Sequence, residues 1–398
     1  MNRKPHALNI DCVYSIGERK TKKKLGRSKF EGHIILKDNK TTIRLPMRSF
    51  VQNFLTTLQG IFAGEIGSSN ANNTEIATAS IAAGVSITRK AGILIGNGLS
   101  TPSITRTDLV ARVSSVSYGL TYGAHSFVAP YAPTSTELKA RITRLLTNAS
   151  SNNFSILEVG LKTKKTASTA SDEGAVLMTH DGITEIFYAA SDKLVSLDFT
   201  IARTGETGGA VLNLLRVFYN LFLLGNVINT GSLLLPRIGT TAAYTYASAT
   251  ASGAFVVDGA AAKYWGVVVG RYEDPVDRGE GEEGIGSIPP SGTNPLIDTD
   301  DYGRNFGINT SLTYGANTIT SVTQSGNKVY FTVSRAITNG TTAAILLNRI
   351  GLLGKGMTAA PTAVMADQVF TMVNRSASNI SLAPNQTIRV EYKFEISV

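Results

Sequence analysis

Cysteine is almost absent: Cys12 is the single one in 398 residues. It cannot form an intrachain disulfide, and one thiolate cannot build a metal site, so a disulfide scaffold and a zinc–thiolate centre are both excluded. Histidine is nearly as scarce. His6, His33, His125 and His180 are scattered, with no His-Glu-x-x-His pattern among them. The lone Trp265 abuts an apolar strand-like run, where a core role suits it better than glycan stacking. Charged residues make up 17% of the chain, and carboxylates are sparse outside one acidic stretch. The rigid carboxylate pair of a glycosidase is therefore not evident, and no Gly-x-Ser-x-Gly elbow occurs. Gly96-Asn97-Gly98 follows a strand-like run, but Thr101 stands where a dinucleotide loop needs its third glycine, so it reads as a tight turn. Asp298-Thr299-Asp300-Asp301-Tyr302-Gly303 imitates the start of a calcium loop, yet its twelfth position is Asn309 instead of glutamate. A looser divalent-cation contact in that acidic stretch stays open. No apolar secretory run opens the chain, so synthesis in the cytoplasm is expected. Together these scarcities predict a protein that is not an enzyme, with no cofactor, no metal and no small-molecule substrate.

What is abundant is glycine, 38 residues of it, with Thr, Ser, Ala, Val and Ile, the composition of many short strands and turns. At 42% hydrophobic residues the chain can bury a core. The chain also repeats itself. Leu120-Thr121-Tyr122-Gly123-Ala124 returns as Leu312-Thr313-Tyr314-Gly315-Ala316. Arg144 to Asn148 is echoed by Arg335 to Asn339, and Glu158-Val159-Gly160-Leu161 by Arg349-Ile350-Gly351-Leu352. A near-constant offset of 191 to 192 residues reads as one unit used twice. The predicted fold is mainly β: two tandem, duplicated antiparallel β-sandwich domains, each with one apolar helix, plus an extended basic N-terminal arm. The expected boundaries are an arm and hairpin over 1–46, a first repeat over 47–207, and a second over 208–398.

Several segments can be placed. Residues 31–46 read as a hairpin around Asp38-Asn39. Residues 47–62 read as an amphipathic helix, with Phe50, Phe54, Leu58 and Ile61 opposite Arg48, Gln52, Thr56 and Gln59. Its counterpart is 211–224. Val211 to Ile228 is the only transmembrane candidate, and it is short and carries Arg216 and several Asn, so a buried helix and no membrane are expected. The Ala/Ser/Thr/Gly stretches 63–91 and 229–262 read as weak strands or extended loops. Gly92 to Gly96 and Gly266 to Gly270 are apolar runs between glycines, hence buried strands. Val195, Leu197, Phe199 and Ile201 alternate as Val390, Tyr392, Phe394 and Ile396 do, the mark of half-buried antiparallel strands. His125 follows the first pentapeptide and Asn317 the second, so a turn or surface histidine is expected.

The net charge of +9 is uneven. Residues 1–30 hold nine Lys and Arg against Asp11 and Glu18. The dense part is Arg19, Lys20, Lys22, Lys23, Lys24, Arg27 and Lys29. Such a cluster suits a solvated terminus, a strap on an acidic protein surface, or a contact with nucleic acid. The opposite charge sits in an acidic insertion over 271–301 of the second repeat, with Glu273, Asp274, Asp277, Glu280, Glu282 and Glu283. Opposite charges at separated places suit head-to-tail contact between identical subunits.

The order of pieces in each repeat is an apolar helix, a Gly-bounded strand with a Gly-rich turn (Ile93 to Gly98), and a strand ending Thr147-Asn148. Then come Ile156 to Leu161 and the alternating Val195 to Ile201. This order resembles the small β-sandwich modules of virion structural proteins of tailed bacteriophages, in tail, neck and fibre-attachment parts. Arg349-Ile350 replaces Glu158-Val159 in the second copy, and Arg271 replaces Asn97. The resemblance implies a virion component, made in the host cytoplasm, that contacts itself and other virion proteins, and it implies no catalytic residue. A glycan-binding fibre or adhesin module and a DNA-contacting inner capsid protein, holding nucleic acid through the arm, are the alternatives.

Overall fold

The computed structural model describes residues 7–17, 21–47, 50–63, 92–99, 103–113, 119–134, 137–164, 175–204, 266–270, 312–355 and 368–397, with Phe218 and the short segments 235–236 and 243–244. These residues are mainly β, in antiparallel sheets, with one short helix.

The strands are β1 (Leu8–Ile16), β2 (Lys23–Lys37), β3 (Thr42–Pro46), β4 (Gly92–Gly96), β5 (Leu120–Thr134), β6 (Glu137–Asn148), β7 (Phe154–Lys164), β8 (Ala175–Phe187) and β9 (Ser191–Thr204). After the two-residue pair β10 (Leu235–Pro236) and β11 (Ala243–Tyr244) come β12 (Gly266–Gly270), β13 (Leu312–Tyr314), β14 (Thr318–Ile319), β15 (Thr323–Ser325), β16 (Lys328–Asn339), β17 (Ile345–Lys355), β18 (Gln368–Leu382) and β19 (Thr387–Ser397). The helix α1 spans Gln52–Ala63. One large sheet runs β13-β16-β19-β1-β2-β9-β6-β5, with β3 on β2 and with β14 and β15 on β16. Two smaller sheets, β4-β7-β8 and β12-β17-β18, complete the layers.

The alternation in β9 and β19 places Val195, Leu197, Phe199, Ile201 and Val390, Tyr392, Phe394, Ile396 in the core, as expected. The small sheets supply the other side of that core through Ile93, Ile95, Ile156 and Val159 and through Val267, Val269, Leu347 and Ile350. The hairpin over 31–46 also forms, and its turn is held by Asp38, whose Oδ1 accepts from Lys40 N and Thr41 N at 2.8 and 2.7 Å.

The expected helix over 47–62 starts five residues late. Phe50 bridges to Thr179, Val51 N donates to Met178 O, and Gln52 N donates to Ile104 O, so the sheet edge claims these residues before the helix can. Phe50, Phe54 and Leu58 are buried as predicted. Phe30, Phe50, Phe54, Phe199 and Phe218 form an aromatic cluster with centroid spacings of 4.6 to 6.1 Å. Each buried Phe is worth about 1.5–3 kcal/mol by area, with about 0.5–1.5 kcal/mol more per favourable pair.

The extended basic arm is corrected by the sheet. Residues 8–16 and 23–37 are β1 and β2, the strands in the middle of it: β1 pairs with β19 over Asn9 to Ile16, and β2 pairs with β9 over Arg27 to Lys37. The cause is a second alternation hidden under the charges. Leu8, Ile10, Cys12, Phe30, Ile34 and Leu36 point inward and are buried, while Asp11, Lys24, Arg27 and Lys29 take the opposite face. The hairpin β1–β2 thus stitches β19 to β9, giving β1-β19-β16-β13 on one side and β2-β9-β6-β5 on the other.

Residues 1–6, Arg19, Lys20, the helix expected at 211–224 apart from Phe218, Trp265, the acidic insertion and the calcium-like loop lie outside the described residues. So do the two Ala/Ser/Thr/Gly stretches, apart from Ala63, β10 and β11. Among the described residues no helix is long and apolar enough to cross a membrane.

Candidate functional site

The repeated polar residues lie between the sheets, at matching places. Arg144 on β6 donates from Nε to Gly123 O at 3.0 Å and from Nη1 to Ile93 O at 2.9 Å, with its guanidinium 4.6 Å from the Tyr122 ring centroid. Arg335 on β16 donates from Nε to Gly315 O at 2.6 Å and from Nη1 to Val267 O at 3.1 Å, 4.8 Å from the Tyr314 centroid. Burial pulls both guanidinium groups down to about 10, and both remain charged at neutral pH. The glycine of each pentapeptide serves this contact: a Cβ at Gly123 would lie 3.0 Å from Leu145 O, and one at Gly315 would lie 3.2 Å from Ala336 O.

His125 is not at the surface. It is buried, and its Nε2 accepts from Ile93 N at 3.1 Å. Asn317 does the same work with Oδ1, accepting from Val267 N at 2.9 Å. The mismatch in sequence is a match in function, because both side chains offer one acceptor to the second residue of a small-sheet strand. Burial, with Arg144 nearby, holds His125 down at about 3, so it is neutral. The Thr-Asn turns are equally alike. Asn148 donates to Asn152 O and Tyr188 O and accepts from Ser150 N; Asn339 donates to Ala343 O and Leu382 O and accepts from Thr341 N.

Two ionic clusters stand out in the first half of the described residues. Glu158, fully buried, accepts from Val110 N at 2.9 Å, from Ala111 N at 2.8 Å, and contacts His180 Nε2 at 2.8 Å, pinning residues 108–113 to β7. Burial pushes this carboxyl up, but His180 and the two N–H groups more than offset it, and it sits below its ordinary value. Lys193, also buried, reaches Asp38 at 3.2 Å and Glu185 at 2.9 Å, tying the hairpin turn to β8 and β9. These groups serve as internal fasteners. Among the described residues no group of three or more His, Cys, Asp or Glu is arranged to hold a metal ion.

The surface left for other molecules is the outer face of the large sheet, which no layer of the described residues covers. Register aligns its side chains in rows: Lys393–Asp11–Arg27, Glu395–Asn9–Lys29, and His33–Asp198–Arg141. Ion pairs lace it. Asp11 takes Lys24 and Arg27, Glu391 takes Lys22, Glu395 takes Lys328 and Lys393, Asp198 takes Arg141, and Glu137 takes Lys139. Two concavities open on it. One, of about 370 Å³, is lined by Ser15, Lys22, Thr318, Ser334, Arg389 and Glu391 among others. The other, of about 270 Å³, is lined by Arg44, Val128, Lys139, Arg141, Asp198 and Thr200.

Of the charges singled out from sequence, Lys22, Lys23, Lys24, Arg27 and Lys29 are brought together on the β1–β2 hairpin. Lys22, Lys24 and Arg27 are engaged within the sheet, Lys29 lies 3.9 Å from Glu31, and Lys23 is exposed. Arg19, Lys20, Glu273, Asp274, Asp277, Glu280, Glu282 and Glu283 lie outside the described residues. Sequence reasoning passed over Arg44, Lys139, Arg141 and Arg389. The signal was present: Lys139, Arg141 and Arg389 alternate with buried Ala140, Ile142, Ile388 and Val390, and Arg44 stands between half-buried Ile43 and Leu45.

No protein-family model, curated protein or solved structure matches the chain.

Proposed function

We propose that the protein is a non-enzymatic structural subunit of a tailed-phage virion, self-assembling or decorating the particle, whose two halves are copies of one β-sandwich module. The observation that carries the reading is the single sheet running through both halves and stitched by the N-terminal hairpin, one face of which no layer of the described residues covers. The matched frameworks around Arg144 and Arg335 support descent from one unit, since two unrelated domains have no reason to hang the same donors on the same carbonyls. The buried polar groups go into holding strands in register, which builds a stiff slab suited to packing against neighbours.

In this reading subunits meet head to tail, the Lys22–Lys23–Lys24 segment of one against the acidic 271–301 insertion of the next. Lys22 and Lys24 already pair with Glu391 and Asp11, but those lysine side chains are 55% and 49% exposed. Such pairs are worth at most about 1 kcal/mol, so a neighbour's carboxylates compete with them. Sedimentation velocity of the full chain and of the Lys22→Ala, Lys23→Ala, Lys24→Ala triple variant tests this. Wild type should form larger species at low salt and lose them as salt rises, and the variant should form fewer. Equal assembly by both would remove this contact.

A further inference from the structure

Two features of the outer sheet face point the same way. First, Asp11, Glu137, Asp198, Glu391 and Glu395 are each answered by a cation on the same face. Positive charge outweighs negative in what is left: among the described residues Arg44 and Arg389 are exposed and make no ion pair, against Asp192, which is exposed and takes only the Thr147 hydroxyl. Second, the leftover cations are not scattered. Arg44 lines one concavity beside Lys139, Arg141 and Thr200, and Arg389 lines the other beside Lys22, Ser15 and Ser334. Each hollow combines guanidinium, ammonium and hydroxyl donors, the set that recognises a phosphate oxygen. A carboxylate lines each hollow too: Asp198 holds Arg141 by both oxygens and Glu391 holds Lys22 by both oxygens, and cations still outnumber carboxylates in each lining.

We propose that this face binds the phosphodiester backbone of a nucleic acid, with the Arg44 and Arg389 hollows as its two phosphate subsites. A polymer fits better than a small anion because the hollows are separate, one where β1 meets β19 and β16 and the other over β3, β9 and β6, with Arg27 and Lys29 of β2 between them. The recognition is of backbone and independent of base sequence, since the face offers donors and few aromatic platforms. The inference stands on the face itself and not on the virion reading; it relocates the nucleic-acid contact from a basic arm to a folded surface spanning both halves.

The test is fluorescence anisotropy of the full chain with a labelled 30-nucleotide single strand and a 30-base-pair duplex, from 25 to 300 mM salt. Wild type should bind at low salt with an affinity that falls linearly in log–log terms, losing about 0.7 log unit per phosphate contacted per decade of salt on single strands and about 0.9 on duplex. Arg44→Gln with Arg389→Gln should lower the slope by about 1.4 on the single strand and about 1.8 on the duplex, and the low-salt affinity at least fivefold for both probes. Lys40→Gln, on the hairpin turn away from both hollows, should change neither. Thermal melts of the variants check that the exposed substitutions leave the fold intact, with Tm expected unchanged. No binding at 25 mM salt, or an unchanged slope in the double variant, would overturn the proposal. So would a double variant that lowers only self-association, since that outcome gives the face to a second copy of the chain. Sedimentation without nucleic acid reads assembly separately, so failure here and failure of the subunit reading remain distinct.

Discussion

Replacing His125 by Asn should make the protein more tolerant of acid while keeping its fold. His125 is buried and used only as an acceptor for Ile93 N, and Asn317 fills the same role in the second half. Its pKa is held at about 3 in the folded chain, against an ordinary 6.5. Because the folded value is the lower one, the unfolded chain binds this proton first. The full stability is present above about pH 6.5 and is lost progressively as pH falls towards about 3. At pH 5 the gap of about 1.5 units costs about 2 kcal/mol, at 1.36 kcal/mol per unit, and at pH 7 almost nothing. His125→Asn removes this term. The variant loses some packing at pH 7, where the His125 ring lies 6.2 Å from Phe127, but it should lose about 2 kcal/mol less than wild type between pH 7 and pH 5. Urea unfolding of both proteins at both pH values gives the difference of differences, in which the other titrating groups cancel. Equal acid losses would refute the buried, neutral-acceptor account.

Three further outcomes follow from the internal fasteners. Arg144→Met and Arg335→Met should each cost about 2–5 kcal/mol in chemical denaturation, by leaving buried carbonyls at Gly123 and Ile93, or at Gly315 and Val267, without their donor. Glu158→Gln should cost about 1.5–3 kcal/mol at pH 7, through the charge-assisted bonds from Val110, Ala111 and His180. The folded carboxyl is depressed below 4.5, so that contribution exists above this value, and the gap between variant and wild type should close as pH falls through the folded pKa. Hydrogen exchange in Glu158→Gln should rise first at residues 108–113, the segment the carboxylate pins.

The β character was legible because period-two alternation survives in β9, β16 and β19 regardless of context. The helix was legible from Phe50, Phe54 and Leu58, but its start was not, since the competing bonds from Met178 and Ile104 come from far along the chain. The N-terminal strands were hidden because β2 opens on Lys23 and Lys24 and carries Arg27, Lys29 and Glu31, and a run of lysines reads as solvated until Leu8, Ile10, Phe30 and Ile34 are seen to share a face. For the outer sheet face, the individual cations were visible as letters. Their meaning depends on which carboxylates lie across the sheet: Asp11 beside Arg27 and Asp198 beside Arg141 are matters of register. His125 and Asn317 looked like a discrepancy for the same reason. An acceptor's role is fixed by the donor it meets, and Ile93 lies 32 residues from His125.

The central claim, that this chain is a subunit built to pack against copies of itself, is tested most directly by negative-stain imaging of the purified full chain at low salt, over a range of micromolar concentrations. The account predicts repeating multi-subunit particles, rings, tubes or sheets, of regular spacing. A field of single, uniformly monomeric particles at every concentration would contradict it.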